Sequence, residues 1–563
     1  MFQTLLLLCI FLSGIGIYHL LNTDLGKISV SEVFIPDGDQ RIGGLLYRPI
    51  QGAGSKPWLA AVVLAHGISS SKQSLSAIAL ELSRRGVVSL AIDLVGHGSS
   101  DGSLGSSTDP SLGVTAAIKY LEAQSFVDSS RLGMVGHSLG AGAIRAAATA
   151  QGSIRASVFI GGGLDSMTVG PAYGSLNATF PRNLLMVVGR EDVLFDIEHL
   201  KKELLPVFNT SHIAAGQLFG DFARQNARKL VTPATTHLFE PLDPETVSET
   251  VSWMESALND VSTPTVPVKA TLIYPFREAA LSASSLALLG LVFPLSALIL
   301  AKLPPQKRTH RNEGQFLEDW KVFAILGILG LGTLVPMFFV GLIVPFPPLI
   351  FGSSFAWWLL AVAALGLVLA KTLLPRISGI RLELKPLVAE LFSRSAVMTA
   401  FMMLFLLYGS TSLVEAIFAT DLRVLTPLLS APRLPSRILL VPVFIPFFLA
   451  YFLMDELYLC VIREKTGGVS WLTSVARVVF LNSGPYMIVL GVQYLPMFLL
   501  GVRPLAGMVG FLMEFLWGIV PLFIITTVFS WWFYRKTQSI GTGALFNALL
   551  FAWSAASIFP FRG

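Results

Sequence analysis

Arg131-Leu132-Gly133-Met134-Val135-Gly136-His137-Ser138-Leu139-Gly140 decides how this chain is read. It ends in a Gly-x-Ser-x-Gly pattern over residues 136–140. Residues 131–135 have the make-up of a buried strand, and the Ala-rich stretch 141–150 that of a helix. A serine at a sharp strand-to-helix turn is held on strained backbone. Small flanking residues let such a turn close, and the hydroxyl then projects above the sheet, where a substrate carbonyl can reach it. The N–H of Leu139, at the helix start, points toward the same place and can stabilise an oxyanion.

Outward from this turn the chain divides in two. Its 563 residues are 53% hydrophobic and only 13% charged, too apolar for an ordinary soluble protein. The excess is uneven. Residues 27–260 have mixed charge and many Gly and Ser, as a globular domain does, while the chain beyond about 280 is a series of long apolar runs. The net charge of +5 does not indicate nucleic acid, because Lys and Arg cluster in loops between apolar spans. No zinc-type Cys or His spacing occurs, and no metal or cofactor is expected. The two cysteines, Cys9 and Cys460, both lie in apolar segments and form no disulfide framework.

Within 27–260, strand-like runs at 28–36 and 41–47 are followed by 59–65, which ends at His66-Gly67, and by 87–93. The last leads into Asp93-Leu94-Val95-Gly96-His97-Gly98-Ser99-Ser100. After the serine turn come further strand-like runs at 156–160, 184–188 and 228–231. Strands alternating with helices make an α/β fold with a mostly parallel sheet covered on both faces. With these motifs the region resembles the α/β-hydrolase superfamily, nearest to its dienelactone-hydrolase-like and serine-aminopeptidase-like members. The resemblance implies a catalytic triad of Ser138 as nucleophile, Asp192 in Val-Val-Gly-Arg-Glu-Asp as acid, and His237 in Ala-Thr-Thr-His-Leu-Phe as base, in the chain order of this fold. A serine hydroxyl needs an imidazole to accept its proton, and the imidazole needs a carboxylate to fix its tautomer. The second oxyanion donor implied is the N–H of Ile68. Glu191 competes with Asp192 for the acid, and His212, in a polar stretch read as an inserted helix, competes with His237. His66, His97 and His137 are read as structural. The long stretch 195–228, with Leu204, Phe208, Ile213, Leu218 and Phe222, is read either as an acyl pocket or lid, or as helices packed on the sheet.

Residues 1–21 are expected to form an uncleaved membrane anchor, with a cleaved signal as the alternative. The linker is placed at 261–279 and an all-α transmembrane bundle at 280–563. Its spans are expected at 280–301, 322–345, 349–370, 396–419, 437–461, 476–500, 505–533 and 542–560, each near the ~20 residues that cross a bilayer, with a tight hairpin at 341–353. Fifteen basic residues fall in loops on one side: Lys302, Lys307, Arg308, Arg311, Lys321, Lys371, Arg376, Arg381, Lys385, Arg394, Arg463, Lys465, Arg477, Arg535 and Lys536. Only Arg423, Arg433, Arg437, Arg503 and Arg562 fall on the other. The first side is therefore expected to be cytoplasmic and the hydrolase-like region extracytoplasmic, at the plasma membrane. Glu415, Asp455, Glu456 and Glu514 lie inside spans, and Asp455 and Glu456 are the candidate membrane-domain site.

These readings describe a membrane-bound serine hydrolase that cleaves an ester, thioester or amide through an acyl-enzyme. Its partners would be a small-molecule, lipid or peptide acyl substrate and the lipid bilayer, with no nucleic acid. The alternatives are an acyltransferase on lipid or surface-glycan substrates, and a multispan transporter or channel whose outer domain only binds a ligand.

Overall fold

A computed structural model of the chain describes residues 1–50, 58–167, 173–259, 268–306, 316–377, 379, 384–424, 426–431, 434–462 and 470–563. Residues 261–267 of the expected linker, and Lys307, Arg308, Arg311, Arg381, Arg433, Arg463 and Lys465 of the charged loops, lie outside the described residues. The chain opens with helix α1 (Phe2–Asn22) and the hairpin β1 (Ile28–Asp37) and β2 (Gln40–Pro49). Then follow β3 (Leu59–Ala65), α2 (Ser76–Ser83), β4 (Val88–Ile92), α3 (Val114–Glu122), β5 (Val127–His137), α4 (Leu139–Ala150) and β6 (Ile154–Ile160). The unit continues with β7 (Leu184–Val187), α5 (Ile197–Phe208), β8 (Leu218–Phe219), β9 (Arg228–Val231) and α6 (Pro244–Asn259).

The strands form one sheet in the order β1-β2-β4-β3-β5-β6-β7-β9-β8. From β4 to β9 every neighbouring pair is parallel, with antiparallel strands only at the two edges. The central strands, buried on both faces, are continuous apolar runs such as Leu-Ala-Ala-Val-Val-Leu-Ala in β3. One face carries an apolar layer with α3, α4 and α5, including Ile118, Ile144 and Leu204. The other carries α2 and α6, including Ile78, Leu80, Val251 and Met254. Leu204, Phe208 and Ile213 thus lie in the core against the sheet, as packing requires, whereas Leu218 is exposed and Phe222 packs on the other face. The inserted helix expected around His212 is absent: α5 ends at Phe208 and His212 is exposed in the loop after it. The left-handed Asn209 (φ 50°) ends the helix there.

Helices α7 (Tyr274–Leu300), α8 (Asp319–Ile343), α9 (Gly352–Thr372), α10 (Leu374–Ile377), α11 (Leu384–Leu391), α12 (Arg394–Phe418), α13 (Pro435–Glu456), α14 (Trp471–Leu500), α15 (Gly507–Thr537) and α16 (Gly541–Ile558) complete the chain. A short hairpin, β10 (Leu422–Val424) and β11 (Thr426–Leu429), joins α12 to α13. Counting α1, nine helices among the described residues are long and apolar enough to cross a membrane. The expected hairpin connects α8 to α9. α1 lies along α7 so closely that a Cβ on Gly14 would meet Ser284 Oγ at 2.1 Å. α7 starts at Tyr274, before the span expected at 280, because its polar first turn is used. Glu81 of α2 accepts the N–H groups of Ile273 (2.7 Å) and Tyr274 (3.0 Å), and buried Arg277 donates to Asn22 Oδ1 (2.8 Å) and Ser76 Oγ (2.9 Å).

Two further contacts hold the sheet unit on the helices. The loop after β4 meets the end of the chain: Leu104 N–H donates to the carbonyl of Phe561 (2.9 Å), Phe561 N–H donates to that of Gly96 (3.0 Å), and Arg437 reaches the same Gly96 carbonyl (2.7 Å). At the other end, Arg503 between α14 and α15 donates to the carbonyls of Arg190 (3.3 Å) and Phe195.

The loop after β3 is locked by a buried ion pair. Lys72 Nζ lies 2.6 Å from Asp93 Oδ2 and 2.8 Å from Ser99 Oγ, and Asp93 also accepts the N–H groups of Lys72 (2.8 Å) and Ser99 (2.9 Å). Burial alone would raise the Asp93 carboxyl, but the Lys72 charge and these donors hold it well below the ordinary range. Its contribution to stability is therefore present above that range and is lost as acid protonates it. Lys72→Met should leave a buried, uncompensated carboxylate and cost about 3–5 kcal/mol, read as faster amide exchange in β3 and β4. Unchanged exchange would mean that the pairs Lys72 makes with Asp93 and with Glu32, 3.5 Å away, do not set the stability of these strands.

Candidate active site

Ser138 stands between the end of β5 and the start of α4 with φ 52° and ψ −115°. A non-glycine residue holds that conformation only where its surroundings impose it. Here the turn is packed too tightly for any side chain on its flanks. A Cβ on Gly136 would lie 2.4 Å from the Gly140 carbonyl oxygen, and one on Gly140 would lie 2.1 Å from that of Ala65. The Ser138 N–H is fixed to the Ile160 carbonyl (2.8 Å), so the serine sits at the carboxyl end of the parallel strands.

The structure brings the three residues singled out in the sequence together. His237 Nε2 is 3.0 Å from Ser138 Oγ, and His237 Nδ1 is 2.8 Å from Asp192 Oδ2. The other Asp192 oxygen accepts the N–H of Leu194 (2.7 Å). The neighbouring Glu191, the alternative acid, does not take part in this chain of bonds. Asp192 follows β7, and His237 follows β9 in a short 3-10 turn. Burial alone would lower the His237 pKa. The charge and hydrogen bond of Asp192, with the charge of Glu514 behind them, raise it above the ordinary value.

Leu139 opens α4, and its N–H, like that of Ile68, has no protein acceptor among the described residues. The two loops touch: a Cβ on Gly67 would lie 3.2 Å from Ser138 Cβ. Around them three buried histidines tie the loops. His66 Nε2 accepts the N–H of Leu94 (3.1 Å), so its Nδ1–H donates to the Gly67 carbonyl (2.7 Å). His97 accepts from Ser69 N–H (3.4 Å) and donates to Val95 (3.1 Å), and His137 Nε2 donates to the His237 carbonyl (3.1 Å). Burial pushes all three below the usual imidazole pKa, so they are neutral struts.

Two carboxyl groups at this site were not assigned to it from sequence. Glu240 accepts the Gly189 N–H at 2.7 Å, and its second oxygen lies 3.4 Å from His137 Nε2 and 3.8 Å from His237 Nδ1. Burial, then the charge of Asp192, push it well above the usual carboxyl pKa. The second is Glu514 of α15, whose carboxylate accepts the N–H of Leu238 (3.4 Å). Their sequence signals are an acid three residues past His237 and an acid within an apolar span. His137, His237 and Glu240 bring ligand-type atoms within 4.8 Å of one another. His237 Nδ1 is already bonded to Asp192 and His137 Nε2 to a carbonyl, so the donor set belongs to the histidine end of this site and does not fit a metal centre. Asp455 and Glu456 lie apart from this site, buried in the helices. Asp455 Oδ2 is 3.5 Å from Asn482 Nδ2, and Gly543 leaves the room that Glu456 fills, since a Cβ there would lie 2.0 Å from Glu456 Oε1.

Residues 62–287 match a model of the alpha/beta hydrolase family. No curated protein matches the chain. Among solved structures, the esterase Pf2001 of Pyrococcus furiosus aligns with 42% of this chain and 95% of its own, at 18% identity and a TM-score of 0.32. The hypothetical protein PA2218 of Pseudomonas aeruginosa covers 41% of this chain and 94% of its own, at 14% identity and a TM-score of 0.30. DcsB, solved in complex with its substrate analogue, covers 41% and 100%, at 17% identity and a TM-score of 0.30. With the family match, the sheet order and the serine turn in agreement, this chain carries an alpha/beta hydrolase domain, joined to a C-terminal half rich in helices long and apolar enough to span a membrane.

Proposed function

We propose that the protein is a membrane-bound serine hydrolase that cleaves an ester, thioester or amide through an acyl-enzyme. The observation that carries this reading is the unbroken series of bonds from Ser138 Oγ to His237 Nε2 (3.0 Å) and from His237 Nδ1 to Asp192 (2.8 Å). Ser138 Oγ attacks the acyl carbon while its proton passes to His237 Nε2. The imidazolium so formed is stabilised by Asp192, which stays ionised. The negative charge on the former carbonyl oxygen falls to the N–H groups of Ile68 and Leu139. His237 then gives its proton to the leaving group as the bond to it breaks. Water, deprotonated by the same imidazole, releases the acid and restores Ser138.

We place this chemistry on the non-cytoplasmic side. Supporting this, three of the four described arginines of the less basic loop set, Arg423, Arg437 and Arg503, bond to the hydrolase domain through their side chains. Arg423 pairs with Glu278 (3.2 Å), Arg437 holds Gly96 and Arg503 holds Arg190, while Arg562 accepts the N–H of Gly105 through its carbonyl (2.7 Å). The hydrolase domain therefore shares a face with the loops that the positive-inside rule assigns outside.

Two predictions follow from the site. Ser138→Ala should lower turnover of p-nitrophenyl butyrate by about 10³-fold or more and abolish fluorophosphonate labelling; turnover that survives would remove Ser138 as nucleophile. Glu240 keeps its proton in the folded protein above its ordinary pKa, so it costs stability as pH rises through that value. Glu240→Gln copies the neutral carboxyl and should hold turnover within about threefold, whereas Glu240→Ala strands the Gly189 N–H and should cost about 1–3 kcal/mol in thermal unfolding. A tenfold loss of turnover in the Gln variant would mean that Glu240 works as an anion.

A further inference from the structure

Glu514 belongs to α15 and is buried among the helices, yet its carboxylate reaches the loop that carries His237. Oε2 accepts the N–H of Leu238 (3.4 Å), the next residue in the chain, and Oε1 accepts the hydroxyl of Tyr494 on α14 (2.7 Å). Each carboxyl oxygen thus accepts one hydrogen bond, which fixes the direction of the group. The surroundings are built for the contact. Trp517, one helical turn on, meets Phe239 edge-on with ring centroids 5.8 Å apart. Gly510, one turn back, is the point where a Cβ would come within 3.1 Å of Val193 Cβ, and Val193 shares an apolar cluster with Leu512 and Leu516. Arg503 holds the carbonyls of Arg190 and Phe195 on either side of Asp192. Both loops that bring acid and base to Ser138 therefore rest on the α14–α15 pair.

We propose that Glu514 is a positioning residue for His237: a helix of the membrane half fixes the histidine loop and supplies a second negative charge behind the imidazole. The proposal rests on the serine-hydrolase reading above. The groups facing His237 are Asp192 after β7, Glu240 on its own turn, His137 at the end of β5 and Glu514 from α15. Tyr494 lies behind Glu514, and Arg190, Glu191 and Arg503 lie around the acid loop. Of the carboxyl groups among these, Glu514 is the one contributed from outside the hydrolase domain. A negative charge behind the ring favours the imidazolium that forms as Ser138 attacks, and it also favours protonation of the resting enzyme. Removing it should therefore lower the rate and move the acid limb of the pH profile downward together. A purely structural loss would lower the rate with the limb unmoved.

The experiment uses the full chain in detergent micelles with p-nitrophenyl butyrate as probe, kcat/KM being followed from pH 4.5 to 9, and fluorophosphonate labelling of Ser138 as a check on folding. Glu514→Gln should lower kcat about 3–10-fold, change KM little, and shift the acid-limb midpoint down by about half a unit to one unit. Tyr494→Phe, which keeps the carboxyl group but removes the donor on Oε1, should shift the limb the same way by a smaller amount, and it serves if the Gln variant does not fold. A limb that stays in place in both variants, or in Tyr494→Phe alone where the Gln variant is unfolded, overturns the proposal. Absence of both turnover and labelling in the wild-type chain would instead remove the serine-hydrolase reading, and this inference with it.

Discussion

The left-handed backbone of Ser138 is the constraint from which the rest of the site follows. A non-glycine residue at φ 52° and ψ −115° costs about 1–3 kcal/mol, so it persists only where several contacts leave no alternative. Gly136 and Gly140 supply them by letting β5, α4 and the end of β3 close to distances that no Cβ permits. Once closed, the turn does three things together. It lifts Oγ to the imidazole of His237, starts a helix whose first N–H is left without a partner, and sets that N–H beside the loop carrying Ile68. The Lys72–Asp93 pair then fixes the far end of that loop.

The hydrolase domain does not simply hang from the helices. Its contacts with them are made at the loops carrying Asp192 and His237 and at the loop after β4, and many use backbone carbonyls as acceptors. Arg437 is the clearest case. Its buried guanidinium donates to the carbonyls of Gly96 (2.7 Å), Ala556 (3.0 Å) and Phe559 (2.9 Å), which joins a hydrolase loop to the end of the last helix. A guanidinium offers five donors in fixed directions, and carbonyls at a helix end need partners, so one side chain satisfies several groups that would otherwise be buried unpaired. Such bonds specify an orientation more than they add affinity. They set the faces of the two halves in one register.

Much of this was legible in the sequence because it is local. The Gly-x-Ser-x-Gly turn, the apolar runs of the central strands and the long spans are all patterns within short windows, and the helices fall close to where those patterns place them. The choice between Asp192 and Glu191 was not local. Both are acids after the same strand, and only the direction of the chain past Gly189 decides which one faces the imidazole. Glu240 was missed for a similar reason: its value lies in the Gly189 N–H, some fifty residues away in sequence. The start of α7 was misplaced because Arg277 and Glu278 look like loop residues by hydropathy, although Asn22, Ser76 and Arg423 give them partners that let them be buried. The expected helix around His212 failed because polar periodicity does not make a helix past the left-handed Asn209.

The acids of the helical half make the same point most sharply. By composition Asp455, Glu456 and Glu514 are one class: carboxyl groups set in apolar helices, each costly to bury without a partner. What separates them is the company that tertiary packing supplies. Asp455 lies beside Asn482, which itself bonds to Thr527, so it belongs to a polar seam between helices. Glu514 receives a phenol from one helix and a backbone amide from another domain, one on each oxygen. A carboxyl group held by two donors has a fixed direction, unlike one that can turn away. The amide it holds is that of Leu238, one peptide from His237, so α15 and the histidine loop are directly joined. The helical half is in this way mechanically continuous with the site, and the geometry around Ser138 and His237 depends on packing well outside the sheet that carries Ser138.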